Sequence, residues 1–265
     1  MLPSLHGGDE WFSSWRRITI NKGAVDSGHL TRMAFNESPL LEACRKGNVE
    51  GALACLTNYT WANGADRGAL AECLMSVCHS PYGSPAEKVQ IATMLLNKGT
   101  DADLLGRALN ATCWHGREEL ASLLLDRGAN PNYLLSASPP LVIVCRQDDP
   151  RAFVRTLLGH GADPCLAHGM TPLHLTSSFG PRPGGVRVSI DIMRVLLEHG
   201  AGSTIYRKDD CGRTVLDYAQ HPRMKALLRK YFILVVRKYV IGGNAEHPSR
   251  NRMRHLAPQI ASFLI

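Results

Sequence analysis

The sequence predicts an all-α protein, a solenoid of stacked helix pairs that continues into a C-terminal helical segment. Two observations carry that expectation. A short motif recurs at the spacing of one helix pair: Gly128-Ala129-Asn130-Pro131 is followed 33 residues later by Gly161-Ala162-Asp163-Pro164. Each copy also closes an aliphatic stretch, Leu123-Leu124-Leu125-Asp126-Arg127 before the first and Leu157-Leu158-Gly159-His160 before the second. A glycine after a leucine-rich helix supplies the left-handed residue that ends it.

Length and composition fit this picture. The chain has 265 residues, enough for a sizeable core, and its 45% hydrophobic content is not that of a disordered chain. Aromatics are only 6%, which suits many short helices packed through Leu, Ala and Gly. From Arg223 onward nine Lys or Arg face one acid, Glu246, so this end holds all of the net charge of +7 and the first 222 residues are near neutral. Eight cysteines, at 44, 55, 73, 78, 113, 145, 165 and 211, form no CxxC pair and fall mostly in helical apolar patterns. They read as buried free thiols of a reducing compartment. Cys165 and His168 make an isolated C-x-x-H without the second pair a metal site needs. No cofactor and no metal are expected.

In chain order, residues 1–35 form an N-terminal extension or cap, with Trp11, Trp15, Arg16 and Arg17 as an amphipathic patch. Met1 to Gly8 lacks a charged region followed by an apolar core, so no signal peptide is expected. On the same grounds the sequons at Asn36, Asn58 and Asn110 are chance matches. Repeated units are expected over 36–231, about six of them: 38–66, 67–103, 104–135, 136–168, 169–205 and 209–231. Leu95-Leu96-Asn97-Lys98-Gly99 and Leu196-Leu197-Glu198-His199-Gly200 repeat the helix-end signal, and Gly47 and Gly116 break paired helices. His115, His160 and His199 sit at helix ends, where positive charge is favoured. The other half of the unit is Thr171-Pro172-Leu173-His174: Thr171 is an N-cap, Pro172 stands at the first helical position, and Leu173 begins the buried face. Weaker copies begin at Ser38-Pro39, Ser138-Pro139 and Arg213-Thr214. Phe179 to Ser189, rich in Gly and Pro, is expected to lengthen the link between the two helices of the fifth unit.

These motifs resemble the ankyrin repeat, with its T-P-L-H turn, central Gly and L-L-x-x-G-A-D helix end. The match is best over 138–201 and spans about two thirds of the chain. The structural residues it implies are Thr171, Pro172, Leu173, His174, Gly128, Gly161 and Gly200. The resemblance implies a target protein held on a concave face lined by the first helices and the loops between units. In that motif the histidine bonds within and between turns, so His174 reads as structural.

After the repeats, residues 232–265 are expected to form a C-terminal helical segment whose first helix begins near 226. Apolar residues at 228, 231, 232, 235, 236, 239 and 240 keep helical spacing, and the chain closes on Leu256-Ala257-Pro258-Gln259-Ile260-Ala261-Ser262-Phe263-Leu264-Ile265. This layout resembles a SOCS box, as found in the ankyrin-repeat and SOCS-box family. The resemblance implies that Leu228, Phe232 and Val236 contact Elongin, and that Leu256, Pro258, Ile260, Phe263 and Leu264 face a cullin. The protein would then be the substrate-recognition subunit of an Elongin–cullin ubiquitin ligase, bound to Elongin B/C. Phe232 stands where the family has Cys, and the family's Leu-Pro pair is replaced by Leu256-Ala257. The alternative is an ankyrin scaffold whose last helix caps the stack and has no ligase role.

Other classes find little support. There is no nucleophile elbow, no H-E-x-x-H and no phosphate loop, since Gly180 to Gly185 lacks the lysine. The protein is expected not to be an enzyme. The basic end carries no nucleic-acid motif, and nucleic acid is not an expected partner. Tyr231 to Val236, the longest apolar run, is too short to cross a bilayer. The expected location is intracellular, in the cytoplasm with the nucleus open.

Overall fold

A computed structural model describes residues 39–58, 64–135, 138–178 and 185–236. These residues form an all-α structure. Among them no strand occurs, and the one β-bridge joins Leu135 to Ser138. The helices are α1 (Pro39–Lys46), α2 (Val49–Asn58), α3 (Gly64–His79), α4 (Pro85–Leu96), α5 (Ala102–Trp114) and α6 (Glu118–Asp126). They continue as α7 (Pro140–Val144), α8 (Arg151–Gly159), α9 (Pro172–Ser178), α10 (Gly185–Glu198), α11 (Val215–Tyr218) and α12 (Pro222–Val236), with a 3-10 turn over Ala201–Thr204.

The helices pack in two rows that follow chain order. In one row α1 packs on α3, α3 on α5, and so on through α7 and α9 to α11. In the other, α2 packs on α4 and the series runs through α6, α8 and α10 to α12. A single apolar core runs between the rows from Leu40 to Phe232. Leu74, Leu109, Leu141 and Leu173 fill it from the odd row, and Ile91, Leu120, Leu124, Leu157 and Leu196 from the even row. Each such side chain is worth about 1.5–3 kcal/mol in burial.

Local chemistry sets the helix ends. Ser84 and Glu87 form a reciprocal capping box at the start of α4, with Pro85 in the first turn. Asp101 caps α5 through the Leu104 amide at 2.6 Å, and Thr214 and Asp217 box the start of α11. Backbones also meet closely. Gly47, between α1 and α2, and Gly83, between α3 and α4, both have left-handed φ, of 73° and 81°. A Cβ on Gly47 would lie 2.7 Å from the Gly83 Cα, so the tips of these successive pairs touch backbone to backbone.

Three boundaries differ from the sequence expectation. Helix α3 opens at Gly64, inside the unit expected to end at 66. Helix α10 begins at Gly185, so residues 185–189 are helical rather than linker, and Ser189 is buried. The valine and isoleucine spacing that follows Gly185 outweighs the Gly and Pro signals before it. Helix α12 begins at Pro222, four residues before the start expected near 226, and runs without a break past the expected unit end at 231. Met224, Leu228 and Phe232 recur every four residues on its buried face, and nothing interrupts it at 231.

Truncation of Leu173 to Ala is expected to cost about 2–5 kcal/mol in urea unfolding. A loss well below about 1 kcal/mol would place Leu173 outside the core. In α5 a Cβ at Gly106 would lie 2.3 Å from the nearest atom of the Tyr133 ring. Gly106→Ala should therefore destabilise by about 1–3 kcal/mol through overpacking, despite its better helix propensity. An unchanged unfolding midpoint would contradict that contact.

Candidate functional site

The predicted turn Thr171-Pro172-Leu173-His174 lies at the start of α9 with all four side chains buried. The Thr171 amide donates to His174 Nδ1 at 3.2 Å, and the Thr171 hydroxyl lies 2.7 Å from the same nitrogen. Nδ1 is thus an acceptor, which leaves the proton on Nε2. Nε2 then donates to the Arg213 carbonyl in the following turn, 3.3 Å away. Both ring nitrogens are occupied, and burial pushes the imidazole below the usual histidine range.

The loops entering the odd helices are joined by similar bonds. The Asn132 amide group donates to the Gly161 carbonyl at 3.1 Å, and the Asp163 N–H donates back to Asn132 Oδ1 at 2.7 Å. Arg207 donates to the carbonyls of Cys165 and Ala167 at 3.1 and 2.8 Å. Gly128, Gly161 and Gly200 end α6, α8 and α10 with φ of 87°, 86° and 100°.

The opposite ends of the odd helices are tied by side chains that the sequence reading did not single out. The Ser80 hydroxyl donates to the Arg45 carbonyl near the end of α1. The Arg117 guanidinium donates to the carbonyls of Val77, Cys78, His79 and Ser80 at the end of α3. The Gln147 amide group donates to the Cys113 carbonyl at the end of α5. Each pair thereby satisfies carbonyls that the preceding helix leaves open. Only the spacing, 34 to 40 residues between partners, could have signalled this.

Near Arg117, the His79 and His115 rings meet edge to face, 5.3 Å between centroids. Burial first, then the neighbouring His79, Arg117 and Lys88, pushes His115 down to about 4. The expected positive charge at this helix end is therefore corrected: desolvation outweighs the favourable end of the helix. His160 does behave as expected. The Thr156 carbonyl and the Asp126 carboxylate, 3.1 Å from Nε2, raise it.

The cysteines at 44, 73, 78, 113 and 145 are buried and free. Burial pushes the Cys78 thiol up to about 12 and the Cys113 thiol up as well, so both stay protonated. Cys165 hydrogen-bonds toward Ser203 and the Gly200 carbonyl. Among the described residues no group of three or more His, Cys, Asp or Glu could hold a metal ion. Asn110, one of the formal sequons, is fully buried in α5 and closed to a glycan in the folded chain.

Of the residues expected at an adaptor contact, two lie together on the buried face of α12. Leu228 and Phe232 point into the stack, and the Phe232 ring meets Tyr206 edge-on at 4.5 Å. Val236 ends α12, and its side chain lies outside the described residues. So do Leu256, Pro258, Ile260, Phe263 and Leu264, together with residues 1–35 and their Trp11, Trp15, Arg16 and Arg17. The opposite face of α12 exposes Ile233 and Leu234, at 47% and 49%. No helix among the described residues is long and apolar enough to span a membrane. The chain matches no protein-family model and no curated protein sequence.

The buried histidines predict a pH dependence. His79, His115 and His174 all have folded pKa values below the unfolded value of about 6.5, so the unfolded chain binds more protons below that pH. Their contribution is full above about 6.5 and lost as pH falls toward the folded values, about 4 for His115. His160, shifted upward, works in the opposite direction, one group against three. Unfolding free energy in urea should fall between about pH 6.5 and 4.5, and His115→Gln should flatten the slope. A flat or rising profile would show these rings to be solvated.

Proposed function

We propose that this chain is an ankyrin-repeat adaptor. It holds a target protein on the concave face formed by the odd-row helices and the loops between pairs, and performs no covalent chemistry itself. The observation that carries this reading is the order of the packing: odd helix on next odd helix and even on next even, from α1 to α12. Helix pairs that cannot cover their own apolar faces and stack in sequence are the basis of such repeat proteins. The turn at Thr171–His174, bonded to the next turn at Arg213, also supports it. In this reading the inner face of α12 closes the stack, with Leu228 and Phe232 as core residues.

A second reading is favoured by one observation, the exposed Ile233 and Leu234. Apolar surface left open on the final described helix suits a partner. Here the protein is the substrate receptor of an Elongin–cullin ubiquitin ligase. The Elongin contact would fall on the outward face of α12 and the residues after it, rather than on Leu228 and Phe232. The cullin contact would fall on Leu256, Pro258, Ile260, Phe263 and Leu264.

Two measurements test these readings. The immobilised chain should retain target proteins from a lysate, and Leu134→Asp, at an exposed loop residue, should weaken retention without lowering the melting temperature. A chain that retains nothing defeats the adaptor reading. Co-expression with Elongin B/C decides the second. Capture by the full chain, lost in Ile233→Asp/Leu234→Asp and in a chain ending at Val236, establishes a receptor; absence of capture removes it.

A further inference from the structure

Helices α10 and α12 are neighbours in the even row, and an open groove of about 680 Å3 runs between them. That volume lies within the ~300–1,000 Å3 of ligand-sized clefts. The floor is aliphatic: Val186 and Ile190, one turn apart on α10, face Ala226 and Leu227 on α12. Val186, Ile190 and Leu227 rest on the core yet stay only partly covered.

The walls are basic. Arg187 and Arg194 come from α10, and Arg223 and Lys230 from α12. Against these four full positive charges the lining holds one acid, Asp191. Asp191 is already engaged, 3.8 Å from both Arg151 and Arg194. Arg187, Arg223 and Lys230 form no ion pair among the described residues, and all three are exposed.

From this combination we infer that the α10–α12 groove is a docking site for an acidic, aliphatic peptide segment of another protein. Its apolar side chains would sit on the Val186–Ile190–Leu227 floor, and its carboxylates would face Arg187, Arg223 and Lys230. This is the helix-in-groove mode of recognition with charged walls. The positive walls speed encounter and exclude basic competitors.

Neither of the two terminal segments, 1–38 and 237–265, has the acidic charge such an occupant needs. Residues 237–265 carry five Arg or Lys against Glu246, and residues 1–38 hold acids and bases in equal number. A second copy, at net charge +7, is repelled. Nucleic acid fits less well, because no aromatic side chain lines the groove and bases need such platforms. The groove belongs to the even row, away from the face assigned to the target protein, so the two assignments stand or fall separately.

The test uses the full chain and short fluorescent peptides, with binding read by anisotropy. One peptide combines Glu and Leu at helical spacing, a second replaces Glu by Gln, and a third replaces Leu by Ser. The Glu/Leu peptide should bind saturably, and both replacements should weaken it by about ten-fold or more. Arg187→Glu/Arg223→Glu, and separately Lys230→Glu, should weaken it comparably, with far-UV circular dichroism and melting temperature unchanged. Equal affinity for the Gln or Ser peptide, or insensitivity to both charge reversals, overturns the inference. So does an oligonucleotide that binds more tightly through the same three residues.

Discussion

A helical pair built from helices this short has more apolar face than it can cover alone. That surplus governs the described structure. Between Leu40 and Phe232 the core never closes on itself; it passes from one pair to the next along two rows. Helix α7 spans only five residues and α11 only four, lengths at which an isolated helix does not persist in water. They are helical because their neighbours bury them, with Leu141 and Val215 completely covered. Stability is therefore held between pairs more than within them.

Polar bonds repeat the same logic at both ends of the odd helices. Ser80, Arg117 and Gln147 each close the helix end of the preceding pair, and Asn132, Arg207 and His174 join successive loops. Almost all of these bonds reach backbone carbonyls rather than other side chains. Carbonyl positions are fixed by the helices, so such bonds set how far one pair stands from the next. Arg117 does most, since its planar fork meets four carbonyls from consecutive residues.

The all-α character was legible in the sequence because its signals are local. A left-handed glycine after Leu124-Leu125, a proline after Thr171 and a buried face beginning at Leu173 each act within one turn of helix. The tip bonds were not legible, because they depend on a register some 34 to 40 residues long that no single turn displays. His115 was misread for a related reason: its place at a helix end is written in the sequence, but the burial that strips its charge comes from other helices. The stripe through Leu228 and Phe232 was correctly helical in spacing. Spacing alone does not say whether an apolar face meets its own chain or another, and here it meets Tyr206. The basic groove went unseen because its walls come from two helices separated by more than twenty residues of chain, each ordinary by itself.

The loop bonds have a consequence for divergence. Asn132, Asp163 and Arg207 are committed to the frame, while Leu134, between two such anchors, is exposed. Substitution at the first kind of position shifts the geometry of the whole row; at the second it alters only what the surface offers. A lineage of such chains could therefore exchange its surface chemistry residue by residue while the underlying lattice of turns stayed constant.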